Sequence, residues 1–208
     1  AGTFTSCSDY LDVSKELSQN LDKEEVFSTA KYLTQWYGEI YQTCPNYSEM
    51  GLDVQNSNGT VNAQAIYSGE IVCAHPNVLK FGQNTFTPSS TTHNRWWNCY
   101  KQIRQAMIFL ENAPESIGEP GAAAGYISVE EMRRYKADVI YLLAYNYFLL
   151  FEFYGPTPII TEIAGPNENV DYARASVDEM VQHIDGLLER VISGDYSDAL
   201  PETIKTGD

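Results

Sequence analysis

His75, His93 and His183 are the only histidines in this 208-residue chain, and none has a second His or Cys three or four residues away. The spacing that brings two metal ligands onto one helix face is therefore missing, and no metal site is expected. His183 falls on a helix flank and reads as an exposed helix residue. Glu24–Glu25 and Glu130–Glu131 are carboxylate pairs, but each opens a helix, where negative charge complements the helix dipole. They give no ground for a glycosidase pair. The stretch from Gly118 to Gly125 is glycine-rich but lacks the Lys-Ser/Thr of a phosphate-binding loop and follows no strand, so it reads as a linker. There is no Gly-x-Ser-x-Gly nucleophile elbow. Asn46-Tyr47-Ser48 and Asn58-Gly59-Thr60 match glycosylation acceptors, a pattern that matters only in a eukaryotic secretory setting. The reading is a protein without catalytic residues, metal or cofactor.

Binding chemistry is better represented. The chain holds 15 Tyr, 8 Phe and 3 Trp. A ring face covers the C–H groups of a sugar while the phenol or indole edge hydrogen-bonds its hydroxyls, so carbohydrate fits this composition. Charge narrows the partners further. Lys and Arg number 13 against 28 Asp and Glu, a net charge of −15. Such a surface repels phosphate backbones and anionic headgroups, which argues against nucleic acid as a partner.

The cysteines Cys7, Cys44, Cys73 and Cys99 form no Cys-x-x-Cys pair. The last three sit where a small buried apolar residue is ordinary, and a Cys44–Cys73 disulfide stays open. Cys7 differs, because Phe4-Thr5-Ser6 places an apolar residue at −3 and small residues at −2 and −1. That arrangement is what a bacterial lipoprotein signal looks like at its cleavage point, and Ser8-Asp9-Tyr10-Leu11-Asp12 would follow as a polar tether. Cys7 is thus the candidate lipidation site.

The elements that must position any site are helices. Asp22 and Glu25 open a helix over about 22–43, with Val26, Ala30, Leu33, Tyr37 and Ile40 at helical spacing. Residues 45–94 have no helical period. Their Asn58-Gly59 dipeptide is a hairpin signal, and short β-like runs lie at Val61–Tyr67, Ile71–Cys73 and Asn84–Thr87. Irregular stretches of that length are usually functional or disordered. A second helix over about 93–113 has Trp96, Tyr100, Ile103, Met107 and Leu110 as its seam, and 114–127 is a flexible connector. Ser128 and Glu131 then form a capping box ahead of a helix ending at Gly155, Pro156 and Pro158. Between Val139 and Tyr154 only Asn146 and Glu152 are polar. The apolar run is about 16 residues, short of the roughly 20 a bilayer needs, so this is a core helix covered all round, with Tyr145, Phe148 and Leu149 buried. After an extended stretch from Tyr154 to Ile163, Ser176 and Glu179 cap a fourth helix to about 193, striped by Val177, Met180, Val181, Ile184, Leu187, Leu188 and Val191. No strand–helix alternation appears, and the fold class is mostly α.

Three segments resemble the SusD/RagB family, the surface glycan-binding lipoproteins of Bacteroidetes. They are Cys7 with its SDYLD tether, the Trp96-Trp97-Asn98-Cys99-Tyr100-Lys101-Gln102-Ile103 helix, and Tyr135-Lys136-Ala137 through Tyr154-Gly155-Pro156-Thr157-Pro158. Lys136 stands where the family usually has Arg, and Ala106 where Asn often stands. The resemblance implies tetratricopeptide-like helix pairs with long loops and a few short β segments. It implies residues 1–21 as a lipoprotein tether and 22–208 as the N-terminal part of a SusD-like helical-repeat domain. Family members are more than twice as long, so part of the glycan site and the next helices would lie beyond. Two apolar faces would then await cover: the Val181, Ile184, Leu188 and Val191 stripe, and the far side of the 139–154 helix. The resemblance further implies a glycan ligand, no catalysis, and a SusC-like TonB-dependent transporter partner. The place would be the cell outer membrane, surface-exposed and held only by the lipid.

Helical geometry sorts the adjacent tryptophans. Trp96 shares a face with Tyr100, Ile103 and Met107, whereas Trp97 shares one with Lys101 and Arg104. Trp97 is the candidate sugar platform, with Arg95 as a hydroxyl donor beside it. Tyr47, Tyr67 and Phe86 are the aromatic candidates of the long loop. The competing reading is a helical-repeat scaffold that binds a protein or peptide and no small molecule.

Overall fold

Five α-helices and one short hairpin make up the described part of the computed structural model, which covers residues 23–44, 54–56, 59–61, 95–165 and 171–199. The helices are α1 (Lys23–Ser28), α2 (Ala30–Ile40), α3 (Trp96–Asn112), α4 (Val129–Tyr154) and α5 (Val177–Ile192), with 3-10 turns at Tyr41–Thr43 and Ser197–Ala199. The protein is mostly α. Among the described residues no helix is long and apolar enough to cross a membrane.

The first expected helix is two. Thr29 takes an extended conformation (φ −114°, ψ 120°) between α1 and α2, and the Ser28 hydroxyl bonds back to the Glu25 carbonyl. Side chains of this kind compete with helical hydrogen bonds, so two in succession break the run. The hairpin pairs β1 (Val54–Asn56) with β2 (Gly59–Val61), Asn56 opposite Gly59. Gly59 therefore opens the second strand, at the place where the Asn58-Gly59 dipeptide signals a hairpin.

α3, α4 and α5 run antiparallel in turn. Trp96 at the start of α3 meets Tyr154 at the end of α4, and Phe27 of α1 meets Phe109 near the end of α3. Arg133 at the start of α4 reaches Asp195 and Asp198 just past α5. One core joins them, centred on Leu33, Ile40, Ile103, Phe109, Met132, Ile140, Leu142, Tyr147, Leu150 and Met180. Two amide oxygens, Gln102 Oε1 and Asn146 Oδ1, are buried in it without a hydrogen-bond partner among the described residues. The Asn146 amide N–H donates to the Leu142 carbonyl.

Both capping serines stand where expected. Ser128 accepts from the Glu131 N–H, and Ser176 and Glu179 bond reciprocally in a full capping box. Gly155 ends α4 at φ 68°, ψ −159°, a region open essentially to glycine alone.

α4 departs from expectation on one face. Tyr141 is 52% exposed and Phe148 47% exposed, with Tyr145 half-buried between them. Only Leu149 of the three residues expected to be wholly buried is so. These positions follow i, i+4, i+7 along one side, while Leu142, Ala144, Tyr147 and Leu150 face the other helices. An all-apolar circumference reflects composition, and three neighbouring helices cover only part of it. Of the expected α5 stripe, Met180, Leu187 and Val191 are buried, whereas Val177 and Val181 are exposed.

The connector 114–127 is a closed loop rather than a flexible linker. Ile117 and Ile127 exchange both backbone hydrogen bonds across its neck (3.0 and 2.9 Å) and are buried. Gly118, Gly121 and Gly125 all take positive φ inside it.

Candidate functional site

The end of the helix array where α3 begins and α4 stops holds the two site residues that the described structure includes. No side-chain cap starts α3 from within its own sequence. Instead the Tyr154 hydroxyl receives the backbone N–H groups of Arg95 (2.8 Å) and Trp96 (3.2 Å). Trp96 packs edge-on to Tyr154 (5.3 Å, 86°) and tilted against Tyr100 (5.0 Å, 56°). It is half-buried and structural, as its place on the helix seam requires.

Below it, the extended chain after α4 is held by side chains. The Tyr100 hydroxyl donates to the Pro158 carbonyl (2.8 Å), Arg104 to Ala164 O (2.8 Å), and Arg174 to Tyr154 O and Pro156 O (3.1 and 2.9 Å). The Tyr147 hydroxyl accepts from the Ile160 N–H (2.9 Å). Burial first of all pushes the Tyr147 phenol far above the usual range, so it stays neutral. His183 is half-buried, correcting its reading as an exposed residue. Its ring meets Tyr147 edge-on at 4.6 Å, and desolvation lowers its pKa.

On this frame Trp97 projects outward, 77% exposed. Arg95 lies with its guanidinium 5.0 Å from the centroid of the Phe153 ring, which is itself part-exposed. An open indole in the first turn of α3 and a cation over a ring at its N-cap thus stand at the same end of the array. Such an end can stack on a flat, hydroxyl-bearing ligand and donate hydrogen bonds at its side. Arg104, on the Trp97 face of the helix, is spent on the Ala164 carbonyl.

Tyr47, Tyr67 and Phe86, and Cys7, lie outside the described residues, as do His75, His93 and Cys73. Cys44 and Cys99 carry free thiols, and burial raises the Cys99 thiol to about 11, so it is an inert core group. No group of three or more His, Cys, Asp or Glu able to hold a metal occurs among the described residues. The sequence reading passed over Phe153 and Tyr154. Their signal was present in the aromatic pair that ends an apolar helix, but only the tertiary fold shows that they meet residues 58 positions away.

No curated protein and no solved structure matches the chain. A family does. The SusD-like_3 family, described as starch-binding and associating with the outer membrane, matches residues 9–202, and the chain belongs to that family.

Proposed function

We propose that this protein captures oligosaccharide or polysaccharide at the bacterial surface for import through a SusC-type TonB-dependent outer-membrane transporter, without catalysis of its own. The observation that carries this reading is the exposed Trp97 indole at the end of the array that also holds the Arg95–Phe153 pair, in a chain whose family is described as starch-binding. Residues 1–21 serve as the tether, with lipid on Cys7 as the membrane anchor. Tyr47, Tyr67 and Phe86 remain candidate ligand contacts of the long loop.

Replacing Trp97 with Ala is expected to weaken glycan binding at least about tenfold, or roughly 1.4 kcal/mol, while leaving the melting temperature nearly unchanged because the ring is exposed. Calorimetry with a soluble α-glucan checks both. Unaltered affinity refutes the platform. Arg95→Ala should cost less, since its guanidinium is already held by Phe153. For the anchor, Cys7→Ala in the precursor should move the protein from the membrane fraction to the soluble one. Retention in the membrane, or no labelling of the wild type by a fatty-acid analogue, removes Cys7 from that role.

A scaffold that binds a protein or peptide is the second reading, favoured by the exposed Tyr141 and Phe148 on α4. Saturable glycan binding that depends on Trp97 decides against it.

A further inference from the structure

A hollow lies at the end of the array opposite Trp97. Between α2, the 114–127 loop and the first turns of α4 opens a groove of about 730 Å³. Tyr32 and Gln35 of α2, Tyr126 of the loop, and Glu131 and Tyr135 of α4 line it. An adjoining hollow of about 490 Å³ shares Tyr32 and Gln35 and continues to Trp36, Gly38 and Glu39. Together they form a track along α2.

The backbone fixes the rings of this track. At the loop neck Ile127 points inward and is buried, so its neighbour Tyr126 is left 42% exposed at the groove. Gly125 brings the loop so near α2 that a β-carbon on it would sit 2.8 Å from Ala30 Cβ. Tyr135 stacks on Tyr37 (4.3 Å, 19°) and donates its hydroxyl to Glu131 Oε1 (2.7 Å). Burial, then that bond, raises its pKa to about 12, keeping the phenol neutral. Trp36 donates its indole N–H to Gln105 O (3.1 Å), which pins the ring.

The lining sets Lys31 against Glu39 and Glu131, one negative charge in excess, which disfavours an anionic ligand. Aromatic faces, an amide and a carboxylate along an open, elongated track suit a linear, neutral, hydroxyl-rich chain. From Tyr135 to Tyr154, α4 spans 19 residues, about 28 Å at 1.5 Å per residue. A short oligosaccharide on the Trp97 edge does not reach this track.

We propose that the Tyr32–Tyr126 groove is a second glycan-binding subsite, with the two tyrosines as stacking platforms and Gln35 and Glu131 as hydroxyl partners. It rests on the glycan-binding reading of Trp97 and extends it: a long polysaccharide bound at both ends gains avidity from linkage alone.

Maltotriose calorimetry on the full chain tests this. The wild type is expected to bind two molecules. The Tyr32→Ala/Tyr126→Ala double variant should bind one, and Trp97→Ala should keep the groove molecule. Because the double variant removes packing, Gly38→Arg is the second test. Nothing lies within 4 Å of a β-carbon there, Arg favours the helix over Gly, and its bulk fills the track. It should also reduce binding to one. A single site lost in Trp97→Ala and untouched by the groove variants overturns the subsite and leaves the first reading standing. Binding lost only in the groove variants supports the subsite and removes Trp97. No binding by the wild type overturns both.

Discussion

Truncating Phe109 to Ala is expected to cost about 3–5 kcal/mol, whereas truncating Phe148 should cost under about 1 kcal/mol. Both are phenylalanines in long helices, and both belong to apolar runs. Phe109 is fully buried where α1, α2 and α3 meet, its ring 6.1 Å from Phe27 and 6.2 Å from Tyr37. Removing it loses the transfer free energy of the ring and leaves a cavity that three helices cannot all close on. Phe148 is 47% exposed, so much of its ring meets water before and after unfolding. Urea titrations of the two variants at neutral pH give the comparison. Equal losses would mean that the α4 face of Tyr141 and Phe148 is covered in the folded protein.

That contrast marks where the sequence stops being informative. Helices α3, α4 and α5 were legible because their periodicity, and the capping serines of α4 and α5, are local signals, and each boundary lies within a few residues of expectation. Trp96 and Trp97 were sorted correctly because one residue is 100° of helix rotation, enough to move a side chain from seam to solvent. Phe148 and Tyr141 were misplaced because an all-apolar helix carries no signal about which face lacks a neighbour. The group that caps α3 was illegible for another reason. Its capping group is the Tyr154 hydroxyl, 58 residues along the chain, and a tertiary cap leaves no local pattern. His183 reads as a surface residue from its place on a helix flank, yet its imidazole lies half-buried and edge-on to the Tyr147 ring between α4 and α5. The Tyr32–Tyr126 groove was hidden because its walls come from three separate segments, one of them the glycine-rich stretch read as a linker.

Gly118→Ala should destabilise the protein by about 1–3 kcal/mol from backbone strain alone, with a further loss from collision. Gly118 holds φ at 66°, where a β-carbon is strained in any surroundings. Here the surroundings are also full: the added carbon would stand 2.6 Å from the Gly125 carbonyl oxygen. That atom is backbone and cannot swing aside. Gly125 itself lies two residues before the buried Ile127 at the loop neck, and Ile127 exchanges hydrogen bonds with Ile117. Relief therefore requires the loop to spread, pulling two buried isoleucines off the ends of α3 and α4. Gly121 offers the internal control, because it too has positive φ (86°) but nothing lies within 4 Å of its added β-carbon. Its Ala variant should show the strain without the collision. Thermal melts of the two variants separate these terms, the Gly118 variant falling further. If both melt alike, the loop yields freely at its neck, and the fixed placement of Tyr126 beside α2 is lost with it.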